Sequence, residues 1–212
     1  MLNKGLLIVI SAPSGAGKST ICKRYLKEHP DTAYSISVTT RKPRKGEKEG
    51  KDYYFVSEKE FKSLIKKGDF LEYARVFGEY YGTRRSSVEG KLNKGKNVLL
   101  DIDVKGALQL MKKINGVFIF VLPPSKKVLV SRLKERKTDK KAEILKRLRI
   151  ANKELAYINK YDYVIINDKL SDAVSNISLI IQAEKHSVIN NGAVIEKCVK
   201  LFSKTEADKW KK

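Results

Sequence analysis

The sequence predicts an α/β fold with a central parallel sheet flanked by helices, and three observations carry that expectation. Apolar runs of strand length recur at residues 6–10, 98–103, 117–122 and 162–167, the first three apolar enough to be covered on both faces. Segments with apolar residues at helical spacing alternate with them, the order that builds a parallel sheet with helices on either side. The first run also leads through a glycine-rich turn directly into a helical pattern.

That first stretch organises the chain. After Leu6-Leu7-Ile8-Val9-Ile10 come Ser11-Ala12-Pro13-Ser14-Gly15-Ala16-Gly17-Lys18-Ser19-Thr20. Strand, small-residue turn and helix in this order form a phosphate-binding loop, in which converging N–H groups and the positive end of a helix dipole face an anion. Lys18 is placed to reach the β- and γ-phosphates of a nucleoside triphosphate, and the Ser19 hydroxyl to join Mg2+. The pattern's first glycine is here Ala12, which remains small. The expected core is therefore that of a P-loop NTPase.

The elements then follow in order. Ile21, Cys22, Tyr25 and Leu26 recur at helical spacing, and the helix should stop before Pro30. From residue 33 to 95 short Ser/Thr/Tyr/Phe-rich segments alternate with charged turns. Residues 53–56 read as a strand, and Ser57-Glu58-Lys59-Glu60 as a capping box whose helix runs to about Lys67, with Gly68 as its stop. Strand-like pieces at 70–77 and 79–82 and a helix at 86–93 complete a mixed, antiparallel-leaning lobe inserted into the core. The core resumes with a strand at 98–103 ending in carboxylates, a helix at 104–113 and a strand at 117–122 closed by Pro123-Pro124. Helices are expected at 125–136 and 141–158, a last core strand at 162–167, a helix at 171–183, and a short strand or helix at 194–199 within a basic tail.

Composition narrows the function. Over 212 residues, 42% hydrophobic and 33% charged content describe a soluble chain able to bury a core. No apolar run approaches the roughly 18 residues of a membrane span, and the run at 6–10 is too short for a signal-peptide core. Cys22 and Cys198 lack metal-ligand spacing and read as reduced thiols of a cytoplasmic protein. With only His29 and His186, zinc binding and histidine acid–base chemistry are not expected. The net charge of +21 favours an anionic partner. Between residues 124 and 153 there are twelve Lys/Arg against three Asp/Glu, a solvated helical face from which two or three arginines would close over a triphosphate.

Two further constellations bear on the second substrate. Ser37-Val38-Thr39-Thr40-Arg41-Lys42-Pro43-Arg44, followed by Tyr53, sets two guanidinium forks beside hydroxyls. An isolated Arg-x-x-Arg is ordinarily a solvated loop, but beside a triphosphate site it suits a second phosphate. Carboxylates stand at the ends of apolar segments, namely Glu72, Asp101 and Asp103. Acids there either orient Mg2+ through water or accept the adjacent N1–H and N2–H2 donors of guanine. For Asp101 and Asp103 the sequence leaves both roles open.

Taken together, these residues resemble the guanylate kinase family. The matching motifs are residues 11–19, Thr39-Thr40-Arg41-Lys42-Pro43-Arg44, Asp52-Tyr53, Phe61, Glu72, Tyr80-Tyr81-Gly82-Thr83, Asp101-Ile102-Asp103, Leu122-Pro123-Pro124-Ser125 and Ile166-Asn167-Asp168. They run in family order over residues 5–184. The resemblance implies transfer of a phosphoryl group from ATP to GMP, with dGMP as a further acceptor and Mg2+ as cofactor. It divides the chain into a core (5–34, 91–124 and 150–190), a GMP-binding lobe (35–90), a helical lid (125–149) and a basic tail (191–212). It further implies that Ser37, Arg41, Arg44, Tyr53 and Tyr81 grip the GMP phosphate, while Glu72, Thr83 and Asp101 read guanine. Ala12, Pro13, Ser14, Gly15, Ala16, Gly17, Lys18, Ser19 and Thr20 hold ATP, Arg136 and Arg147 act as lid arginines, and Asn167 and Asp168 lie near adenine. Lys18, Arg41, Arg44, Arg136 and Arg147 then surround the transferred group. The sequence opposes two other classes. A catalytically silent binding module is opposed by the intact Gly17-Lys18-Ser19, and a nucleic-acid-binding ATPase lacks a basic motif with interleaved aromatics.

Overall fold

The structure, a computed structural model, describes residues 4–135 and 141–203. Strand β1 (Leu7–Ser11) is buried along its length, and its side chains divide by parity because successive residues of a strand point to opposite faces. Ile8 and Ile10 pack with Ile21, Cys22 and Tyr25 of helix α1 (Lys18–Glu28), whereas Leu7 and Val9 enter a separate cluster on the other face. The chain returns through β2 (Ala33–Tyr34), a two-residue strand too short to show a period in the sequence.

The inserted lobe follows. It contains β3 (Val38–Thr39), β4 (Tyr54–Phe55), α2 (Glu58–Lys66), β5 (Phe70–Val76), β6 (Glu79–Arg84) and α3 (Arg85–Leu92). Its sheet has the order β4-β3-β6-β5 and is antiparallel except for the parallel β3–β4 pair. Phe61 of α2 stacks on Phe70 at 4.6 Å and on Tyr80 at 5.2 Å, giving the lobe its own small core. The capping box forms as expected: Ser57 Oγ accepts the Glu60 N–H, and the Glu60 carboxylate accepts the Ser57 N–H at 2.8 Å. Gly68 ends this helix at a φ of 67°, a conformation that favours glycine.

Strand β7 (Val98–Asp101) re-enters the core, followed by α4 (Val104–Leu110), β8 (Val117–Leu122), α5 (Lys126–Glu135), α6 (Lys141–Leu155), β9 (Tyr163–Ile166), α7 (Leu170–Lys185) and α8 (Gly192–Ser203). The core sheet is wholly parallel, with the order β2-β7-β1-β8-β9. Ala173, Val174, Ile177 and Ile181 of α7 share a face with α1, and Val88 of α3 with Ala107 and Leu110 of α4 cover the other. Leu129, Leu133 and Ala151 join α5 to α6.

Some boundaries differ from expectation. The strand expected to run to Asp103 ends at Asp101, because Asp103 Oδ1 accepts the Gly106 N–H at 3.0 Å and opens α4 instead. The helix expected to reach residue 158 ends at Leu155, where one 3-10 turn (Ile158–Lys160) takes over. The stretch at 194–199 lies within α8. Among the described residues, no helix is long and apolar enough to cross a membrane.

Candidate active site: two clefts at the phosphate loop

The carboxyl ends of β1 and β7 and the N-terminus of α1 converge on the loop between β1 and α1. Gly15 and Gly17 both take positive φ, 94° and 93°, and a Cβ on Gly17 would lie 2.3 Å from Asn167 Nδ2. Two donors hold the loop from behind: Asn167 Nδ2 reaches the Ala16 carbonyl at 2.7 Å, and Arg132 Nη1 reaches it at 3.2 Å. Within the loop, the Pro13 carbonyl accepts the Ala16 N–H at 3.0 Å, and Ala12 and Ala16 are buried.

Lys18 leads α1. Its Nζ lies 2.6 Å from Asp101 Oδ1 and donates to the Ile102 carbonyl at 2.6 Å. Burial alone would lower the ammonium's pKa, but the Asp101 charge and hydrogen bond outweigh it, and the net shift is upward. The lysine is therefore held as a cation at the mouth of a cleft of about 450 Å3.

Ser19, Ser37, Arg41, Arg44, Tyr53, Glu72, Phe77, Tyr81, Asp101, Asp103 and Arg147 share that cleft with Lys18. Arg41 Nη2 forms a two-pronged pair with Glu47, at 2.8 and 2.9 Å, and its guanidinium lies 5.3 Å from the Tyr53 ring centroid. Glu47 also accepts the Arg44 N–H at 2.8 Å, so one carboxylate fixes both ends of the Arg41–Arg44 turn. Tyr53 meets Tyr81 edge to face at 6.0 Å. Glu72 lies at the inner end, 3% exposed, and accepts a hydrogen bond from the fully buried Thr83 hydroxyl. Burial, reinforced by the nearby Asp103, outweighs that bond and raises the Glu72 carboxyl to about 7. A Cβ on Gly106 of α4 would lie 2.4 Å from Glu72 Oε2, so the bare backbone there makes room for the carboxylate.

A second cleft of about 310 Å3 opens on the opposite side of the loop and is lined by Gly15, Gly17, Thr20, Arg132, Asn167, Asp168 and Leu170. Arg147 lines the first cleft, and its Nη1 donates to Ser14 Oγ of the phosphate loop at 3.0 Å.

The structure thus gathers Ser37, Arg41, Arg44, Tyr53, Glu72, Tyr81 and Asp101 around one cavity with Lys18 and Ser19, and places Thr83 behind Glu72. Asn167 and Asp168 lie at the other cavity. Arg136 falls outside the described residues. Sequence reasoning missed Glu47, Arg132, Phe77, Gly106 and Glu154. Glu154 Oε2, on α6, is buried with no hydrogen-bond partner among the described residues, and burial followed by the Asp103 charge pushes this carboxyl to about 7. Nothing local distinguishes these residues; only Arg132 was foreshadowed, as one of many basic residues near the lid.

As a metal site, the cleft offers the Ser19 hydroxyl and the Asp101 and Asp103 carboxylates, an all-oxygen set that fits Mg2+. Among the described residues no group of three or more His, Cys, Asp or Glu could hold a metal ion.

Comparison with known proteins points to one family. The family model described as guanylate kinase matches residues 4–184. A guanylate kinase of Clostridium perfringens is 51% identical over 184 residues, covering 86% of this chain and 85% of its own. One from Thermotoga maritima is 46% identical over 99% of each chain. The crystal structure of guanylate kinase from Anaplasma phagocytophilum superposes with a TM-score of 0.73 at 38% identity, over 87% of this chain and 88% of its own.

Proposed function

This chain belongs to the guanylate kinase family, and on that premise we propose how its two clefts carry out transfer of the γ-phosphate of ATP to GMP, yielding ADP and GDP. The observation that carries the reading is the position of Lys18: its ammonium stands at the phosphate loop and in the same cavity wall as Arg41, Arg44, Glu72 and Asp101. A donor phosphate on the loop and an acceptor phosphate on the arginines would therefore meet at Lys18.

In this reading ATP lies over residues 12–20, with its base toward Asn167 and Asp168. The GMP phosphate is gripped by Ser37, Arg41, Arg44, Tyr53 and Tyr81, and guanine is read by Glu72, Thr83 and Asp101. Thr83 acts through Glu72, donating to one oxygen and leaving the other to accept from the base. Lys18, now paired to Asp101, exchanges that carboxylate for phosphate as the donor enters, leaving Asp101 to accept from the base. A GMP phosphate oxygen, already anionic, attacks the γ-phosphorus in line; the new O–P bond forms as the bond to the β–γ bridging oxygen breaks and ADP leaves. No general base is required. Lys18, Arg41, Arg44, Arg136 and Arg147 neutralise the charge spread over the moving group, and closure of the lid (125–149) over the GMP-binding lobe (35–90) excludes water. Ser19, with Asp101 or Asp103 acting through water, would hold Mg2+, which would supply charge neutralisation on the phosphates.

The same reading extends to dGMP as an acceptor and to a cytoplasmic setting, where both nucleotides are found. Turnover measured on GMP, dGMP, AMP and dTMP tests it, and turnover on AMP or dTMP matching that on GMP would contradict the guanine-reading role of Glu72 and Asp101. Lys18→Ala should lower kcat by roughly a hundredfold or more while preserving the circular dichroism spectrum, since a charge-stabilising group at the reacting centre is lost; undiminished turnover in that variant would overturn the assignment.

A further inference from the structure

The turn joining β5 to β6 consists of Phe77 and Gly78, both at positive φ, 52° and 96°. A two-residue hairpin turn of this kind is ordinarily Asn-Gly, and a bulky side chain adopts the first position only against steric resistance. Phe77 is the one non-glycine with positive φ among the described residues. Burial does not compensate it, because the residue is 40% exposed. The turn accounts for the positive φ but not for a phenylalanine at it, and a strained side chain kept at such a position points to function.

Its neighbours supply that function. Phe77 lines the cleft that contains Lys18, Arg41 and Glu72. The Arg147 guanidinium carbon lies 5.0 Å from the ring centroid, and Lys146 Nζ lies 5.8 Å from it, both within cation–π range. Arg147 also donates to Ser14 Oγ in the phosphate loop. A guanidinium on a long, rotamer-rich chain is thus located by two contacts, one from the inserted lobe and one from the donor loop. Fixing such a group in advance removes its ordering from the reaction barrier.

We propose that Phe77 is a positioning residue for Arg147: the tip of the acceptor-side hairpin presents an aromatic face on which the α6 guanidinium rests, directing it to the phosphate loop at the edge of the cleft that holds Lys18. Phe77 touches no reacting atom. The inference rests on the phosphotransfer reading, in which Arg147 meets the transferred group.

The test is steady-state kinetics and thermal midpoints for Phe77→Asn, Phe77→Trp, Arg147→Ala and the Phe77→Asn/Arg147→Ala double variant. Asn suits a positive φ, so the midpoint of Phe77→Asn should hold or rise while kcat falls about fivefold, the scale of one cation–π contact. Its KM for GMP should stay within about twofold, because the ring orders a lid group rather than binding GMP. Phe77→Trp, which keeps an aromatic face, should restore kcat. In the Arg147→Ala background Phe77→Asn should have no further effect. Should the Asn variant fold poorly, Phe77→Leu is read in the same way, being apolar without a π face. Unchanged kcat in Phe77→Asn, or the same fivefold loss without Arg147, overturns the proposal. Full turnover in Arg147→Ala instead overturns the phosphotransfer role on which it rests, a result distinct from a silent Phe77 beside a crippled Arg147 variant.

Discussion

Glu72 joins solvation and specificity in one carboxyl. In the proposed reading the Glu72 carboxylate accepts from guanine, and with its carboxyl raised to about 7 that form is only partly populated at neutral pH. GMP supplies N–H groups where water is excluded, so binding and deprotonation are linked. KM for GMP should rise as pH falls below 7, and Glu72→Gln, which cannot titrate, should flatten that profile. The same variant should raise KM for GMP roughly tenfold, the size of one lost hydrogen bond to a charged acceptor. A steep acid-side rise persisting in Glu72→Gln would transfer the titration to another group. At this scale the sequence was most informative where a motif concentrates chemistry, as at Lys18 or Arg41. It was silent on Glu47, whose pairing with Arg41 depends on the turn that brings them together. It was equally silent on Phe77, whose φ and cation partners are set by a hairpin and a helix remote from each other in the chain.

Helix α4 illustrates how an element serves the site without contributing a ligand. Gly106 lies in its first turn, where alanine would ordinarily strengthen a helix by about 1 kcal/mol. Here the added Cβ would press on Glu72 Oε2, which is held by Thr83 and has little space to retreat. Gly106→Ala should therefore raise KM for GMP several-fold while leaving thermal stability near wild type; unchanged KM would show that Glu72 can relocate freely. Helix α2 is the contrasting case. Ser57→Ala removes the capping box and should lower stability by about 1 kcal/mol with kcat unchanged, because the cap lies outside both clefts. Long strands and capped helices were legible because each carries a repeated or paired signal, as in 117–122 and Ser57–Glu60. Strands β2, β3 and β4 have two residues each, too few for a period, and owe their pairing to neighbours distant in sequence. Likewise Asp103 reads as a strand residue until its side chain is seen capping α4.

For the molecule as a whole, Glu72 and Glu154 set a pH dependence of stability. Both carboxyls are raised from the ordinary 4.5 to about 7 in the folded chain. Between those values the folded state holds protons that the unfolded state has released, so their contribution to stability is present at low pH and is lost as pH rises from about 4.5 through 7. The thermal midpoint should fall over that interval in the absence of nucleotide, and Glu154→Gln should reduce the slope; a midpoint insensitive to pH there would contradict the burial of both groups. The overall architecture was legible from alternating strands and helices, and the family motifs located the insertion. The strand order required the structure, because β2 is too short to be read and the neighbours of the other core strands are chosen by crossover geometry.

That order has a consequence for how such an enzyme diversifies. The chain leaves β2 and, after the inserted segment, comes back on β7, its hydrogen-bonded neighbour. The two strands are parallel, so the chain leaves at the carboxyl end of β2 and enters at the amino end of β7, and the intervening segment is a crossover connection. A replacement crossover of different length or shape can join the same two strands without displacing β1 or the turn that follows it. Evolution can therefore edit what receives the phosphate and what donates it as separate inheritances.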